Sequence, residues 1–329
     1  MSSPKLQLDV ERTKLLIVPL ALFGLWFVVV YLFAPVGGKE EKRIVISPGT
    51  STRAIAQELK RAGVISSPLG FRIAARVEGI SGKLKAGSYL ISGNSSTWQI
   101  ARRLAQGNTD ELAITIPEGY NTRQIAALVE ENGVGTKGRF LELVRSPSEE
   151  LRALVPELPE GKSLEGFLFP DTYRLGPGDG EEVLIKMMLK RFTQVAPKTV
   201  EGSALGLYET VILGSIIEKE AKLQRERPLI SAVFHNRLQK GMRLQSCATV
   251  AYVLEKNQAK LSYEDLKVES PYNTYLKGGL PPAPIANPGL ASLRAAARPA
   301  AVDYLYFFAL GDGSHHFSRN YQEHIQLQR

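Results

Sequence analysis

From Leu15 to Val36 the chain reads LLIVPLALFGLWFVVVYLFAPV, 22 residues without a charge. Coiled as a helix at about 1.5 Å per residue, such a run covers about 33 Å, enough for the hydrocarbon core of a bilayer. A helix of that length inside a globular core would show a polar face, and this one has none. The run therefore predicts a transmembrane helix over 15–36. Pro19 is tolerable in a spanning helix, and Trp26 and Tyr31 are compatible with membrane burial. A cleaved signal peptide would have a shorter apolar core, about 7–15 residues, and then a small-x-small site. Pro35-Val36-Gly37-Gly38 is a poor site of that kind, so an uncleaved anchor is expected. Residues 1–14 then form a short cytoplasmic tail, and the rest lies outside the cytoplasm. That orientation rests on the usual behaviour of N-terminal anchors. The flanking charges do not decide it: Lys5, Arg12 and Lys14 precede the run, while Lys39, Lys42 and Arg43 follow.

The remainder of the 329 residues reads as folded protein, with 44% hydrophobic and 22% charged residues overall. The net charge of +8 fits either a solvated basic surface or attraction to an acidic polymer. Lys and Arg nowhere form a run of five, and no nucleic-acid motif occurs, so nucleic acid is not an expected partner. Cys247 is the only cysteine, which excludes an internal disulfide and a Cys-based zinc site. No Cys–His catalytic spacing surrounds it, and it reads as a structural thiol.

A repeat organises the middle of the chain. Ile44-Val45-Ile46-Ser47-Pro48-Gly49-Thr50-Ser51-Thr52-Arg53-Ala54-Ile55-Ala56 aligns with Ile114 to Ala126 at a constant offset, and seven of the thirteen pairs are identical. A weaker third copy starts at Ile91. In each, alternating apolar residues predict a short strand and a Pro, Gly or Asn turn follows. A Ser, Thr or Asn then caps a helix with apolar residues three and four apart: Ile55 and Leu59; Ile100 and Leu104; Ile125, Leu128 and Val129. The copies at 44 and 91, with Phe71-Arg72-Ile73-Ala74-Ala75 between them, predict a small α+β unit over 43–107. Its strand–turn–helix order and Pro-Gly-Thr-Ser turn resemble a LysM-like domain, which implies glycan holding. A packing spacer is the equal alternative. Asn108 to Glu111 is the expected joint to the next domain.

Chemistry is concentrated further on. Leu164 to Tyr173 (LEGFLFPDTY) suggests a turn under a cleft wall. Thr210 to Ala221 (TVILGSIIEKEA) predicts an apolar helix bearing two carboxylates. Residues two apart on a helix point about 200° apart, so Glu218 and Glu220 cannot face one bond together. Glu218 lies over Gly214 and Ser215, where small residues would admit a ligand. Burial in an apolar helix disfavours a carboxylate's charge, which suits a general acid. An ion-paired structural glutamate is the alternative, with Lys219, Lys222 and Arg225 nearby. Pro228 and Gly241 bracket a second helix whose apolar face is Leu229, Ile230, Val233, Phe234 and Leu238. Amides, hydroxyls and tyrosines follow, groups that suit sugars, together with a proline-dense stretch that reads as a rigid loop. The four histidines are His235, His315, His316 and His324, with no spacing that supports a metal site; Tyr304 to Phe308 and His-x-Phe read as a closing hairpin about Gly311-Asp312-Gly313.

Taken in order, Glu165-Gly166, Pro170-Asp171-Thr172-Tyr173, Ser215 to Glu220, Asn236-Arg237-Leu238, Gly241 to Gln245, Tyr272-Asn273-Thr274-Tyr275, Gly279-Leu280-Pro281-Pro282 and Pro284 to Gly289 resemble the MltG (YceG-like) family of endolytic peptidoglycan transglycosylases. The resemblance covers nearly the whole chain after the anchor. It departs at Cys247-Ala248, where the family often has Asp-Pro, and at Ala283, where it often has Gly. The implied fold is α+β: an N-terminal transmembrane helix, the small LysM-like domain over 43–107 and a larger α+β catalytic domain over 112–329. The implied activity is cleavage of MurNAc–GlcNAc bonds within glycan strands without water, leaving 1,6-anhydroMurNAc ends and ending nascent strands. Glu218 is the implied catalytic residue, first as acid and then as base. Ser215, Gln245, Tyr272, Asn273, Tyr275 and Asn287 are the expected sugar-positioning residues. No helical second carboxylate accompanies Glu218, although Glu165, Asp171 or Glu264 could fold nearby. No cofactor or metal is implied. The implied setting is the plasma (inner) membrane, with peptidoglycan strands as substrate and peptidoglycan synthases or the elongation or division machinery as partners. A non-catalytic, membrane-anchored peptidoglycan-binding scaffold is the competing reading.

Overall fold

In the computed structural model the chain is described over residues 22–327, except residues 25, 39 and 108 and the side chain of residue 259. Residues 15–21 and 25 of the expected spanning segment lie outside the described residues. Its visible part is helical over 22–24 and 26–33, and no helix among the described residues is long and apolar enough to cross a membrane. The chain divides into two compact units, Met1–Leu112 with Gly176–Gly178, and Ala113–Leu175 with Asp179–Arg329.

The first unit runs β1 (Glu41–Ile46), α1 (Thr52–Arg61), α2 (Pro68–Val77), β2 (Gly87–Ser92) and α3 (Thr97–Gln106). β1 and β2 pair antiparallel, from Glu41 opposite Ser92 to Ile46 opposite Gly87. Period-two alternation sends Ile44, Ile46, Tyr89 and Ile91 into one core with Ile55, Leu59, Phe71, Ile100 and Leu104 of the helices. The helix starts follow their caps. Ser51, Ser67 and Ser96 each accept a hydrogen bond from a first-turn amide, and Ser96 forms a reciprocal capping box with Gln99.

The second unit opens with the other strong copy of the repeat. β3 (Leu112–Thr115) leads through a turn to α4 (Thr122–Glu131), capped by Asn121 in a box with Gln124. All three copies are therefore strand, turn and capped helix, as their shared pattern predicts. α5 (Lys137–Arg145) and α6 (Glu149–Ala153) follow, then β4 (Thr172–Leu175), which pairs with β3. The segment before β4 forms the expected turn over 164–168, and it lies in the core: Leu164, Phe167, Leu168 and Phe169 are buried, because four large apolar side chains within six residues have much to gain there.

α7 (Glu181–Val200), α8 (Leu207–Glu220), α9 (Arg227–Gln239), α10 (Cys247–Leu254) and α11 (Leu290–Ala297) complete the helical body. Every α8 residue from Thr210 to Ile217 is buried, as a helix apolar all round requires. Val211 joins one core, with Phe167, Leu189 and Leu293, while Leu213, Ile216 and Ile217 join another, with Ile230 and Phe234 of α9. The expected backing of α8 by α9 is thus present. β5 (Tyr306–Ala309) and β6 (His315–Ser318) form the expected hairpin, and α12 (Tyr321–Leu327) closes the described chain.

Candidate active site

The buried helix α8 delivers three polar residues at its last turn, and each goes to a different place. Glu220 turns to Ser246, whose hydroxyl donates to it at 2.5 Å, and to the Gln258 amide at 3.0 Å. Lys219 donates to the Gly119 carbonyl at 3.3 Å. Glu218 turns inward, and its side chain is only 6% exposed, beside an Arg227 side chain at 9%. Arg227 Nη2 donates to Glu218 Oε1 at 2.9 Å, and the Gly289 amide donates to Oε2 at 3.0 Å. Arg227 is itself steered by Nε, which donates to Ser292 Oγ at 2.9 Å. The ion partner is therefore Arg227, not Lys219, Lys222 or Arg225, because a 3-10 turn at Gln224–Glu226 swings the chain back and starts α9 beside the end of α8.

Gly214 does not leave room for a ligand. A β-carbon there would stand 3.3 Å from Leu293 Cδ2 and 3.6 Å from the Ser292 carbonyl, so this small residue lets α11 approach α8. Ser215 is fully buried; its hydroxyl donates to the Ile212 carbonyl and accepts from the Ile285 amide.

The turn of the second repeat copy supplies the opposite wall. Gly119 adopts φ +76°, and a β-carbon there would lie 3.3 Å from Glu218 Cγ. That combination of left-handed backbone and close approach calls for glycine. The neighbouring Glu118 lays its carboxylate against Gly289, where a β-carbon would begin 1.9 Å from Oε1. Since the Gly289 amide also holds Glu218, standard backbone dimensions place the Glu118 and Glu218 oxygens within about 7.5 Å of each other. Partial burial, then the charge of Glu218, push the Glu118 carboxyl above the ordinary glutamate range, against the pull of Arg227. Glu118 is thus a carboxylate beside Glu218.

Asn287 fastens this turn. It is fully buried, its Oδ1 accepts from the Gly166 and Leu168 amides, and its Nδ2 donates to the Tyr120 carbonyl and Glu165 Oε1. Its main chain also pairs with Gly119 and Tyr120. Glu165 takes further bonds from Thr122 N and Oγ1, and burial pushes its carboxyl up to about 7 despite these donors. Asn273 is fully buried as well, donating to the Leu266 and Val268 carbonyls and accepting from the Tyr275 amide. Three of the expected sugar-positioning residues, Ser215, Asn273 and Asn287, therefore lie inside the protein, with their side-chain hydrogen bonds made to protein partners.

The other three are reachable. Gln245 is exposed and its Oε1 accepts from Arg237; Tyr272 is half-buried with its ring 5.4 Å from that of Tyr252. Tyr275 is half-buried, with its hydroxyl 3.0 Å from Cys247 Sγ. Gln245 and Tyr275 line a cavity of about 310 Å³ with Glu220, Arg237, Cys247 and Gln258. A larger cavity, about 620 Å³, is bounded by Asn121, Arg123, Lys219, Tyr252 and Gln258. Gln258 borders both, so the end of α8 stands where the two cavities meet, with Lys219 facing one and Glu220 the other. Glu218 lines neither, and sits behind this wall beside Glu118.

A model of the YceG-like family matches residues 44–329. The chain belongs to the YceG-like family. It is 34% identical over 304 residues to the endolytic murein transglycosylase of Bacillus subtilis, covering 87% of this chain and 83% of that one. It is 30% identical over 335 residues to the endolytic murein transglycosylase of Streptococcus pneumoniae, covering 92% of this chain and 60% of that one. A crystal structure of a yceG-like protein from Listeria monocytogenes superposes with a TM-score of 0.61 at 34% identity, over 89% of this chain and all of that one.

In this YceG-like chain, sequence reasoning missed Arg227 and Glu118. One signal for Glu118 was present: it is a position where the two strong repeat copies differ, with Pro48 in the first and Glu118 in the second.

Proposed function

We propose that this chain is an endolytic murein transglycosylase, a lyase that cuts inside the glycan strands of peptidoglycan, and that Glu218 is its proton-transferring residue. The activity follows the two curated relatives and the family match across most of the chain. The observation that carries the residue is the placement of Glu218: a carboxylate at the end of a helix buried from Thr210 to Ile217, gripped by Arg227 and the Gly289 amide and facing the turn that bears Glu118. In lytic chemistry the C6 hydroxyl of MurNAc attacks its own C1 while the bond to the next GlcNAc breaks. One carboxyl serves both halves, protonating the leaving oxygen and then taking the hydroxyl proton.

The finer features belong to the same reading. The β-α-α-β order of residues 41–92, with antiparallel strands, supports a LysM-like glycan-holding role for the first unit. The outward Phe23, Trp26 and Phe27, about 60% exposed each, support an N-terminal membrane anchor; placing the enzyme outside the cytoplasm belongs to the same proposal, because its substrate lies there. Action on nascent strands would bring the chain beside the synthases and the elongation or division machinery.

Digestion of purified glycan strands, with the ends analysed by mass spectrometry, tests the proposal. We expect 1,6-anhydro ends, and a loss of roughly 10²- to 10⁴-fold in rate for Glu218→Gln, the usual worth of a positioned acid–base group. Reducing ends alone would overturn the lyase chemistry, and binding without cleavage would favour a scaffold. Undiminished cleavage by Glu218→Gln would overturn the residue.

A further inference from the structure

The smaller cavity at the end of α8 is lined by rings from the last elements of the chain. Tyr306 of β5 stands 5.9 Å from the Tyr321 ring and 5.2 Å from the His324 ring, centroid to centroid. Tyr321 and His324 are three apart, so α12 carries both on one face. All three line the cavity together with Tyr275. They are not core residues: Tyr306 and His324 are half-buried, Tyr321 is 60% exposed, and α12 has no buried residue. Burial, then the charge of Arg237, hold the His324 imidazole below the ordinary histidine range, so at neutral pH it is an uncharged ring. The polar contribution comes from Gln245. Its φ of +54° lies in the region that favours glycine, and a non-glycine residue persists there only when its surroundings fix it. Its backbone N–H donates to the Thr274 carbonyl at 3.1 Å. Arg237 Nη1 donates to its Oε1 at 3.1 Å and to the Arg243 and Leu244 carbonyls. With Oε1 so held, the side chain keeps Nε2 as a donor, and Nε2 donates to no described residue.

We propose that this cavity seats one uncharged N-acetylhexosamine unit of a glycan strand, stacked on Tyr321 and Tyr306, with its acetamido carbonyl accepting from Gln245 Nε2; the identity of the strand rests on the murein reading above. The chemistry of the lining matches that ligand. A pyranose has an apolar face of C–H groups and a polar rim, and ring faces with hydroxyl and amide groups beside them serve both. An acetamido carbonyl needs a donor that is not already used, and Gln245 Nε2 is one. The charged lining groups are one carboxylate and one guanidinium, Glu220 and Arg237, so the cavity has no net charge to draw an acidic substituent. In a strand that alternates GlcNAc and MurNAc, the unit without the acidic lactyl group is therefore the one held. At about 310 Å³ the cavity stands at the small end of ligand pockets, which start at roughly 300 Å³, and it suits one sugar unit rather than several. Gln258 borders the larger cavity as well, so a strand seated here continues along the end of α8.

Isothermal titration of the full chain in detergent with chitotetraose, the N-acetylglucosamine tetramer, tests this. The proteins are wild type, Tyr321→Ala, Tyr321→Phe and Gln245→Gly, the last chosen because glycine adopts a φ of +54° freely. Tyr321 is exposed, so its replacement leaves the fold in place, which circular dichroism checks. A LysM-like first unit would bind the same sugar, but none of these substitutions touches it, and the cavity is read from the difference between variant and wild type. We expect Tyr321→Ala to weaken the cavity's binding about tenfold, Gln245→Gly at least about threefold, and Tyr321→Phe, which keeps the ring, less than about twofold. Cellotetraose, which has no acetamido groups, should bind wild type at least about threefold more weakly than chitotetraose, and its affinity should not change in Gln245→Gly. In the cleavage of glycan strands, Tyr321→Ala should raise KM about tenfold and leave kcat within about threefold. Tyr321→Ala binding like wild type, Tyr321→Phe as weak as Tyr321→Ala, or Gln245→Gly weakening both tetramers equally would overturn the proposal. If wild type yields anhydro ends while neither affinity nor KM moves in the variants, only this inference fails. If the ring dependence appears and no preparation cleaves, the cavity holds the sugar and the reading of function fails.

Discussion

Glu165 offers a quantitative check on how burial and hydrogen bonding compete beneath the candidate site. Its carboxyl is fully buried and receives donors from Thr122, Tyr252 and Asn287, yet desolvation holds it at about 7 against an ordinary 4.5. A folded-state value above the unfolded one means that the native state binds this proton the more tightly. The stability it contributes is therefore complete below about pH 4.5 and is lost as pH rises through 7. At about 1.4 kcal/mol for each pH unit separating the two values, the native state above pH 8 forgoes roughly 3 kcal/mol. Glu165→Gln abolishes the titration. It also turns one acceptor oxygen into an NH2 group, so that Thr122 Oγ1 or the Tyr252 hydroxyl must turn to accept, at a cost of about 1 kcal/mol at every pH. The two stabilities should then cross: wild type ahead by about 1 kcal/mol at pH 4.5, and the variant ahead by about 2 kcal/mol at pH 8.5. Urea unfolding followed by far-UV circular dichroism measures both. Tryptophan fluorescence would not serve, since Trp26 and Trp98 both lie in the first unit. A stability gap that stays constant with pH, or that widens in favour of wild type on the alkaline side, would show that the converging donors outweigh desolvation, and the argument from burial would be refuted.

Asn287→Ala removes four side-chain hydrogen bonds that tie the Tyr120 turn to the Gly166–Leu168 segment, and should cost about 3 kcal/mol in urea unfolding, with glycan cleavage reduced as the turn bearing Glu118 loosens. Arg227→Lys keeps the charge but cannot reach Glu218 and Ser292 together, so cleavage should fall at least tenfold while the circular dichroism spectrum is retained. Cys247→Ser should leave cleavage within about twofold, because the thiol is half-buried against Tyr275 and is not part of the Glu218 cluster; a loss of 100-fold would give it a catalytic part after all.

Local pattern carried much of this molecule. The repeat at Ile44, Ile91 and Ile114 determined three strand–turn–helix units, since alternation, turn residues and caps act over a few residues and need no distant partner. Helix geometry separated Glu218 from Glu220, and they do face different neighbours. What the residues alone left open was which groups meet across long stretches of chain. Gly214 looked like an opening for a ligand, but α11, almost eighty residues on, fills it. Asn273 and Asn287 looked like sugar ligands because an exposed amide and a buried amide are the same letter. Only packing shows that their donors and acceptors are used up within the protein. The cluster of Glu118, Glu218, Arg227 and Gly289 joins four segments spread over more than half of the chain. Long-range burial brought them together, and so the sequence determined the acid while the tertiary structure chose its partners.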